Sequence, residues 1–547
     1  MKRTRPSFVT LAALLAPLAL APALGAQAPA ESPVLKEGVK ASIQVQVMDL
    51  DVVATSGGNP VTDLRKEELT VKVDGKTLPL DYFIRVDSGK LHGPDLGNAS
   101  PDLVLETTKS DTGDRYLPRQ FLVFFDDAHL LPFERKRAIE GLRDFITRLV
   151  PSDRVSIAAY GGSTRVFVPY TGSKEDLLDG LSRLEKTPPS GLSWDLQYRN
   201  DVRDIRRARY TTRPALLRTT SEQIYQREKA TLKDLTRAIS ALSARSGKRA
   251  LIYVSNGIEL RPGQSIQQAL GTTSLSQFDY SVTDEFQKVL ATANRSGVTV
   301  HAIDAKGLSS DDVDAGEREA TPFNSFFVSQ NLREALSGLA VETGGQLITN
   351  RNDFKAALDA VYQESSSYYS VGVTLTNLDP KKKDHGISLS TSRPGVTLRT
   401  RKGYGVKSPE EAMLDRMEMA LLTPGARGDF PVRLLLGVPK KDGGKRISPY
   451  EVAIPIEALT FVDEAGQRKT LLDISLAAVE DDGKRSDIST ARKGLAVDPA
   501  KWDSVKSQVY KFTGELRSRK GNIRFVATVR DVSSDRIGIA EAAVHLD

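Results

Sequence analysis

The 547-residue chain contains no cysteine. Disulfide bonds, a cysteine-linked lipid anchor, thiol catalysis and cysteine metal sites are therefore excluded. Histidine is scarce, and no two histidines have the H-E-x-x-H spacing of a zinc protease. The sequence also lacks a G-x-S-x-G nucleophile motif and a Walker-type glycine loop. These absences count against the common hydrolase and nucleotide-binding classes, and we expect no enzymatic activity.

Long apolar runs are also scarce, apart from one at the amino terminus. Lys2, Arg3 and Arg5 precede an apolar stretch at 8–20, and small residues follow it. This order is typical of a secretory signal peptide, which we assign to residues 1–26. An uncleaved membrane anchor is the alternative, but two prolines interrupt the run and it is short for a bilayer. We expect export to the periplasm or the extracellular space, with no transmembrane helix after cleavage.

Positive charge is in small excess. The formal net charge is +6, and removal of the three basic residues of the signal peptide leaves +3. A nucleic-acid-binding protein is expected to have a clustered basic face, so no nucleic-acid partner is predicted. The one arginine-rich stretch, from Arg199 to Arg218, lies in an insertion at 187–220. It is interpreted as a solvated helical excursion, with a basic contact surface as the alternative.

Strand and helix patterns alternate through the centre of the chain, which predicts a mostly parallel sheet covered by helices. Phe121 to Phe125 is a continuous apolar run, as expected for a strand buried on both faces. Apolar spacing predicts helices at 174–186, 222–245 and 283–296. Such a doubly wound sheet places its ligand site at the carboxyl ends of its strands.

Flanking segments with alternating apolar residues and turn signals predict all-β modules on both sides of the α/β domain. The predicted order is a signal peptide (1–26), a flexible lead-in (27–41), a small β module (42–87), a linker (88–118), the α/β domain (119–367) with its insertion (187–220), a second β module (368–405), a helical linker (406–430) and a carboxyl-terminal β-sandwich (431–547).

Several short motifs, taken in order, resemble one family. Phe121 to Asp126, Ala250 to Gly257 and Gly297 to Asp304 are similar to the strand ends of a von Willebrand factor A domain. Flanking segments, from Asn59 to Gly75 and from Tyr368 to Tyr404, are similar to VWFA-related proteins typical of Acidobacteria. The resemblance covers residues 42–405 well and the remainder loosely. It implies a von Willebrand A/Rossmann-like sheet and a metal-dependent adhesion site.

That implied metal site is degenerate in this chain. The family holds a divalent cation with an Asp-x-Ser-x-Ser loop after the first strand and an Asp after the fourth. Asp126 matches the first position, but Ala128 and Leu130 replace both serines, and Asn256 replaces the later aspartate. Mg²⁺ and Ca²⁺ need a nearly complete shell of oxygen ligands, so no cofactor is expected.

Asp126 and Asn256 remain the candidate metal ligands if such a site persists. The alternative for Asp126 and Asp127 is a carboxylate pair that accepts backbone N–H groups at the start of the following helix. His301 lies in an apolar strand and is interpreted as a core residue whose hydrogen-bonding needs are satisfied. Asp304 ends that strand, and a loop cap is the alternative interpretation of this residue.

The first functional hypothesis is a binding or scaffolding protein with a protein partner in the cell envelope or extracellular space. Its predicted interaction face consists of six residues: Asp126, Asp127, His129, Ser255, Asn256 and Asp304. The second hypothesis is a metal-dependent adhesion or sensing protein that uses the same face through Mg²⁺ or Ca²⁺. The third, a hydrolase with an unrecognised site, has no motif to support it.

Overall fold

The computed structural model describes residues 47–98, 108–109, 115–269, 280–307, 322–375, 382–443 and 445–546. The predicted signal peptide (1–26) and lead-in (27–41) lie outside these residues. The first strands are β1 (Val47–Ser56), β2 (Asn59–Pro60), β3 (Leu69–Val73), β4 (Lys76–Leu78), β5 (Tyr82–Asp87), β6 (Lys90–His92), β7 (Thr108–Lys109) and β8 (Arg115–Tyr116), with short 3-10 turns at Lys66–Glu68 and Pro94–Asn98.

The central domain follows. Its strands are β9 (Arg119–Phe125), β10 (Arg154–Tyr160), β11 (Thr164–Thr171), β12 (Lys248–Ser255), β13 (Val298–Asp304) and β14 (Leu347–Ile348). Its helices are α1 (Pro132–Arg148), α2 (Lys174–Lys186), α3 (Gly191–Arg207), α4 (Arg213–Ser243), α5 (Gln264–Ala269), α6 (Thr283–Ser296), α7 (Pro322–Thr343) and α8 (Lys355–Ser366). The helices predicted at 174–186 and 283–296 are confirmed residue for residue.

The central strands form one sheet in the order β11-β10-β9-β12-β13-β14. All neighbouring pairs are parallel except β10 with the edge strand β11. Helices α1, α2 and α8 pack on one face, and α4, α6 and α7 pack on the other. The chain order reverses between β9 and β12, so the crevice at the carboxyl ends of these two strands is the expected ligand position. The predicted doubly wound, mostly parallel sheet is confirmed.

His301, on β13, is buried and its Nδ1 accepts a hydrogen bond from the Gln346 N–H at 3.3 Å. The prediction of a satisfied core histidine is confirmed. Burial, with Arg399 and Lys248 nearby, lowers the pKa of this ring from 6.5 to about 3. A lowered pKa in the folded state means that the stabilisation is complete above pH 6.5 and is lost as the pH falls toward 3.

We therefore expect His301→Asn, which keeps a hydrogen-bond acceptor but does not titrate, to remove this pH dependence. Below pH 6.5 the free energy of unfolding of the native chain should fall by about 1.4 kcal/mol per pH unit relative to the variant. Denaturant titrations at a series of pH values measure the difference. Two curves that stay parallel from neutral to acidic pH would contradict the prediction.

The next strands are β15 (Ser367–Thr374), β16 (Asp384–Thr391), β17 (Thr397–Arg399) and β18 (Gly403–Gly405). The two β modules predicted at 42–87 and 368–405 are corrected to a single module, because their strands pair. β15 lies between β1 and β5, and β16 pairs with β3. Strands β6 to β8 of the predicted linker (88–118) extend the same sheet.

The carboxyl-terminal part begins with α9 (Pro409–Leu422) and contains α10 (Trp502–Val505), 3-10 turns at Ile456–Ala458 and Pro499–Lys501, and the strands β19 (Arg433–Leu436), β20 (Lys440–Asp442), β21 (Lys445–Pro455), β22 (Val462–Glu464), β23 (Gln467–Glu480), β24 (Ser489–Val497), β25 (Val509–Ser518), β26 (Gly521–Asp531) and β27 (Ile537–Leu546). Strands β21 and β25 of one sheet and β23 and β26 of a second share an apolar core. Two sheets that face a common core make a sandwich.

Helix α9 covers the residues predicted for it at 409–422, but it is not the isolated linker helix expected. Met413, Met417 and Leu421 are buried in a cluster that includes Ala241 of α4 and Val526 of the sandwich. Arg485 of the sandwich also pairs with Glu418 of α9 at 2.6 Å. The helix is therefore a packed element between the central domain and the sandwich.

Candidate functional site

Asp126 follows β9 in the crevice where the strand order reverses, and it is completely buried. Its Oδ2 accepts hydrogen bonds from the Tyr253 hydroxyl at 2.7 Å and the Ser255 hydroxyl at 2.8 Å, both from β12. Ser255 in turn accepts the Gly257 N–H at 3.1 Å. The predicted alternative, in which Asp126 accepts backbone N–H groups at the following helix, is wrong because β12 supplies side-chain hydroxyls instead.

His129 lies between two carboxylates. Its Nδ1 is 2.8 Å from Asp126 Oδ2, and its Nε2 is 3.0 Å from Oε1 of Glu228 on α4. Burial opposes the charged ring, but the two carboxylates outweigh burial and raise the pKa of His129 to about 9. The ring is therefore an imidazolium at neutral pH. Sequence reasoning did not place Glu228 in the site.

Glu228 has a second cationic partner. Arg227 Nη2 donates to Glu228 Oε1 at 2.6 Å, and the Arg227 guanidinium lies 4.9 Å from the ring centre of Trp194 on α3. Burial opposes ionisation of Glu228, but the charges of His129 and Arg227 lower its pKa. Asp126, His129, Arg227 and Glu228 form a group that we call the buried ionic cluster.

Asp127 points away from this cluster toward α1. Arg135 donates to Asp127 Oδ2 at 2.7 Å, and burial raises the pKa of the Asp127 carboxyl to about 7. The backbone-capping role predicted for the aspartates belongs to another residue. Glu134 accepts the Leu131 N–H at 2.7 Å and so caps the start of α1.

Asn256 and Asp304 are also engaged in local contacts. Asn256 Nδ2 donates to Glu134 Oε2 at 2.5 Å, and Arg333 Nε donates to Asp304 Oδ2 at 2.6 Å. Asp304 Oδ1 accepts the Lys306 N–H at 3.1 Å, which confirms the interpretation of Asp304 as a loop cap. Asn256 is therefore held against α1.

The insertion covers this crevice. The Gly191 N–H, at the start of α3, donates to the Asp127 carbonyl at 2.7 Å, and a Cβ at this position would lie 2.3 Å from the Leu130 carbonyl. Glycine is therefore required at position 191 for α3 to approach the backbone of Leu130 so closely. Val202 and Ile205 of α3 pack on Ile224 of α4. The insertion is thus a folded layer with a small apolar core.

This layer corrects the predicted interaction face. Four of its six residues are buried (Asp126, Asp127, Ser255 and Asp304), and the His129 side chain is 6% exposed. A partner cannot contact these side chains directly while α3 is in place.

The residues present do not fit the divalent cation that the fold family implies. Ala128 and Leu130 offer no side-chain oxygen, and Asp126 Oδ2 already has three polar neighbours. A cation on Asp126 would also lie beside the imidazolium of His129, and like charges at such short distances repel strongly. Across the part of the chain that the structure describes, no cluster of three or more His, Cys, Asp or Glu side chains is arranged to hold a metal.

Comparisons with known proteins give structural neighbours alone. No family model matches the chain, and no curated protein matches it significantly. The von Willebrand factor domain of the pilus tip protein Mfa5 from Porphyromonas gingivalis is 15% identical, with 45% of this chain and 94% of that chain covered and a TM-score of 0.27. BatB from Bacteroides thetaiotaomicron is 12% identical, with 45% and 96% covered and a TM-score of 0.23.

A von Willebrand factor type A protein from Catenulispora acidiphila is 8% identical, with 92% of this chain and 74% of that chain covered and a TM-score of 0.24. Scores and identities this low carry no argument about function. The description of the central domain as a doubly wound, mostly parallel α/β sheet rests on its own strand order.

Glu228 is the main site residue that sequence reasoning missed, although a signal was present. It lies four residues after Ile224 and four before Leu232, on the buried stripe of α4. A carboxylate on an apolar helix face must find a buried partner, because an unpaired buried charge is very unfavourable. That rule would have marked Glu228 without identifying His129 as its partner.

Proposed function

We propose that this chain is an exported protein-binding or scaffolding protein whose central von Willebrand A-like domain has a degenerate metal site. The outer side of the insertion supports this proposal most directly. Leu192 and Leu196 lie one turn apart on α3 and are 42% and 56% exposed, and Tyr210, between α3 and α4, is 89% exposed. Exposed apolar side chains grouped on one element are typical of protein-binding surfaces.

Basic residues continue the same stripe of α3. Arg199, Arg203 and Arg207 follow Leu196 at helical spacings of three and four residues, and all three are exposed. A stripe that is apolar at one end and basic along the rest suits a partner surface with apolar anchors and an acidic rim. The proposed partner is therefore a protein of the cell envelope or extracellular space with such a surface.

The packing of α9 supports a scaffolding role. Because this helix is buried against both α4 and the carboxyl-terminal sandwich, the insertion is presented on a body of several joined domains. No helix among the described residues is long and apolar enough to cross a membrane. Export is proposed from the signal-like amino terminus.

The test compares crosslinking of matched variants in envelope extract. We expect the double variant Leu192→Ser, Leu196→Ser to lose a specific crosslinked partner that the native chain retains. The control is Val438→Ser, which removes an even more exposed apolar side chain (84% exposed) from the carboxyl-terminal part. If both variants lose the crosslinked partner equally, or if the double variant retains it, the insertion is not the binding surface.

The alternative, a metal-dependent adhesion or sensing protein, has one observation in its favour. Asp126 Oδ1, Asp127 Oδ1 and Asn256 Oδ1 are buried without a hydrogen-bond partner among the described residues, and oxygens are the ligands that Mg²⁺ and Ca²⁺ prefer. Repeating the crosslinking with EDTA and with added Mg²⁺ separates the two functions. Partner capture that requires the metal would favour the alternative.

A further inference from the structure

Strand β25 (Val509–Ser518) lies at the edge of its sheet in the carboxyl-terminal sandwich. One side of β25 pairs with β21 along its whole length without a register shift. Pro449 of β21 is opposite Glu515, and the Pro449 carbonyl accepts the Gly437 N–H at 2.7 Å on the side away from β25. The N–H and C=O groups of one residue in an antiparallel strand point to the same side. Glu515 therefore directs its backbone groups away from β21, toward the free edge.

Every second residue of β25 has this orientation. The set consists of Val509, Lys511, Thr513, Glu515 and Arg517. Within the part of the chain that the structure describes, the backbone groups of these five residues have no hydrogen-bond partner. Many natural edge strands are protected by a proline, a bulge or an inward-pointing charge, and β25 has none of these. Its inward side chains include Phe512 and Leu516, which belong to the apolar core of the sandwich. The edge is therefore a template for a further strand.

The charges along this edge are self-complementary. When a second copy of β25 is placed antiparallel, with Thr513 opposite the same residue of the second copy, Lys511 lies opposite Glu515 of the second copy and Glu515 lies opposite Lys511. Opposite charges in directly opposed positions stabilise an antiparallel pair. Lys511 is already paired with Glu451 of β21 at 3.1 Å, whereas Glu515 has no ion pair among the residues described. The second copy would give Glu515 its missing cation.

The same register also matches the backbone groups. Each of the five outward residues is placed opposite another outward residue, so each pair exchanges both of its N–H···O=C bonds and the two strands form about ten hydrogen bonds. A shift by one residue would place outward groups opposite inward ones and would also separate Lys511 from Glu515. The register with Thr513 at the centre thus satisfies both the backbone and the charges.

We propose that β25 pairs antiparallel with β25 of a second copy, centred on Thr513, and joins two chains in one continuous sheet. Such an interface uses the same surface on both chains and closes as a two-fold dimer. Pairing of two strand edges buries less area than most stable dimer interfaces, so we expect a reversible dimer with a dissociation constant on the order of 10 μM. The proposal does not depend on the α3 surface, but a dimer would present two copies of it.

Sedimentation velocity of the full chain, without the proposed signal peptide (1–26), tests the pairing between about 1 and 100 μM. The native chain should change from monomer to dimer over this range. Thr513→Pro should remain monomeric, because it removes the N–H at the two-fold axis. That N–H makes no bond within one chain, and proline is tolerated at such edge positions. The control Thr513→Val keeps the N–H and should dimerise like the native chain.

Charge variants test the register and do not depend on the proline variant being folded. Lys511→Glu and Glu515→Lys should each weaken the dimer by about tenfold, because each places like charges opposite one another twice. An equimolar mixture of the two variants should dimerise again, because both opposed pairs are then of opposite charge. Circular dichroism with thermal unfolding shows whether each variant is folded.

Two kinds of result would overturn the proposal. The first is a native chain that stays monomeric at about 100 μM, which would leave the edge to an extended segment of another protein. The second is a set of folded charge variants that dimerise as tightly as the native chain, or a mixture that dimerises no better than its components. Leu192→Ser with Leu196→Ser, which alters the α3 surface, should leave the dimer unchanged. Failure of the α3 surface to bind a partner is therefore distinguishable from failure of β25 to pair.

Discussion

Asp153→Asn is expected to lower the free energy of unfolding of the central domain by about 3–5 kcal/mol, the usual effect of removing one partner of a buried ion pair. Arg119 Nε and Nη2 donate to the two carboxylate oxygens of Asp153 at 2.7 and 2.8 Å. Their side chains are 2% and 0% exposed. The asparagine keeps the shape of the aspartate but leaves the guanidinium buried without its counter-charge.

The position of this pair explains why the effect should be large. Arg119 begins β9, and its guanidinium also donates to Tyr362 of α8 at 2.9 Å and lies 4.5 Å from that ring centre. Asp153 additionally accepts the Val150 N–H at 2.9 Å. The pair therefore joins the first strand, the turn before β10 and the last helix of the domain. An unpaired charge at this point would destabilise the packing of all three elements.

Tryptophan fluorescence can follow this domain alone. The chain has two tryptophans, and in a Trp502→Phe background the remaining one, Trp194, lies on α3 of the central domain. Denaturant unfolding is then compared for Asp153→Asn and for the control Asp179→Asn, whose ion pair with Arg183 on α2 is exposed. Exposed pairs contribute little, so the control should not change measurably. Equal effects in the two variants would contradict the prediction.

A double variant tests the cause. Arg119→Met in addition to Asp153→Asn removes the unpaired charge and keeps much of the apolar volume. If the loss arises from the buried charge, the double variant should be more stable than Asp153→Asn alone. A double variant that is less stable than either single variant would instead indicate that packing around Arg119 dominates.

Sequence patterns predicted the local elements of the central domain well, for a physical reason. An apolar run such as Phe121 to Phe125 has to be buried on both faces, and the apolar spacing at 174–186 fits one side of a helix. These constraints act between near neighbours in the chain. The right-handed connections that parallel strands require then decide the face of the sheet on which each connecting helix lies.

Pairing over long distances could not be predicted in the same way. β1 and β15 are separated by more than 300 residues, yet Leu50 is opposite Val371 in the antiparallel register. An alternating strand shows which face is buried but does not show which strand lies beside it. Two modules were therefore predicted where one exists.

Prediction of the candidate site was limited in the same way, because its contacts join residues that are far apart in the chain. The lack of side-chain oxygens at Ala128 and Leu130 could be seen directly in the sequence, but the contacts of His129 with Asp126 and Glu228 could not be predicted. His129 gains its role from Glu228, about 100 residues away on a helix that the insertion precedes. The burial of Asp126 beneath α3 depends on Gly191, whose close approach to Leu130 has no local sequence signature.

Glu228→Gln is expected to be the most destabilising single change within the buried ionic cluster, lowering the free energy of unfolding by about 3–5 kcal/mol. Glu228 is 0% exposed and serves two cations, with the ring of His129 at 3.0 Å and Arg227 at 2.6 Å. The glutamine fills the same space, so no cavity forms. The loss is therefore electrostatic, because a neutral amide leaves two positive groups with Asp126 as the remaining carboxylate of the cluster.

The adjacent residue provides the control. Lys229 lies on the exposed side of α4 and pairs with Glu285 at 3.4 Å, so Lys229→Gln should leave the unfolding midpoint nearly unchanged. Combining Glu228→Gln with His129→Gln removes one negative and one positive charge together, and we expect the double variant to be more stable than the sum of the single effects predicts. Purely additive losses in that cycle would mean that the two side chains are not coupled. That result would mean that Glu228 does not stabilise the positive charge of His129.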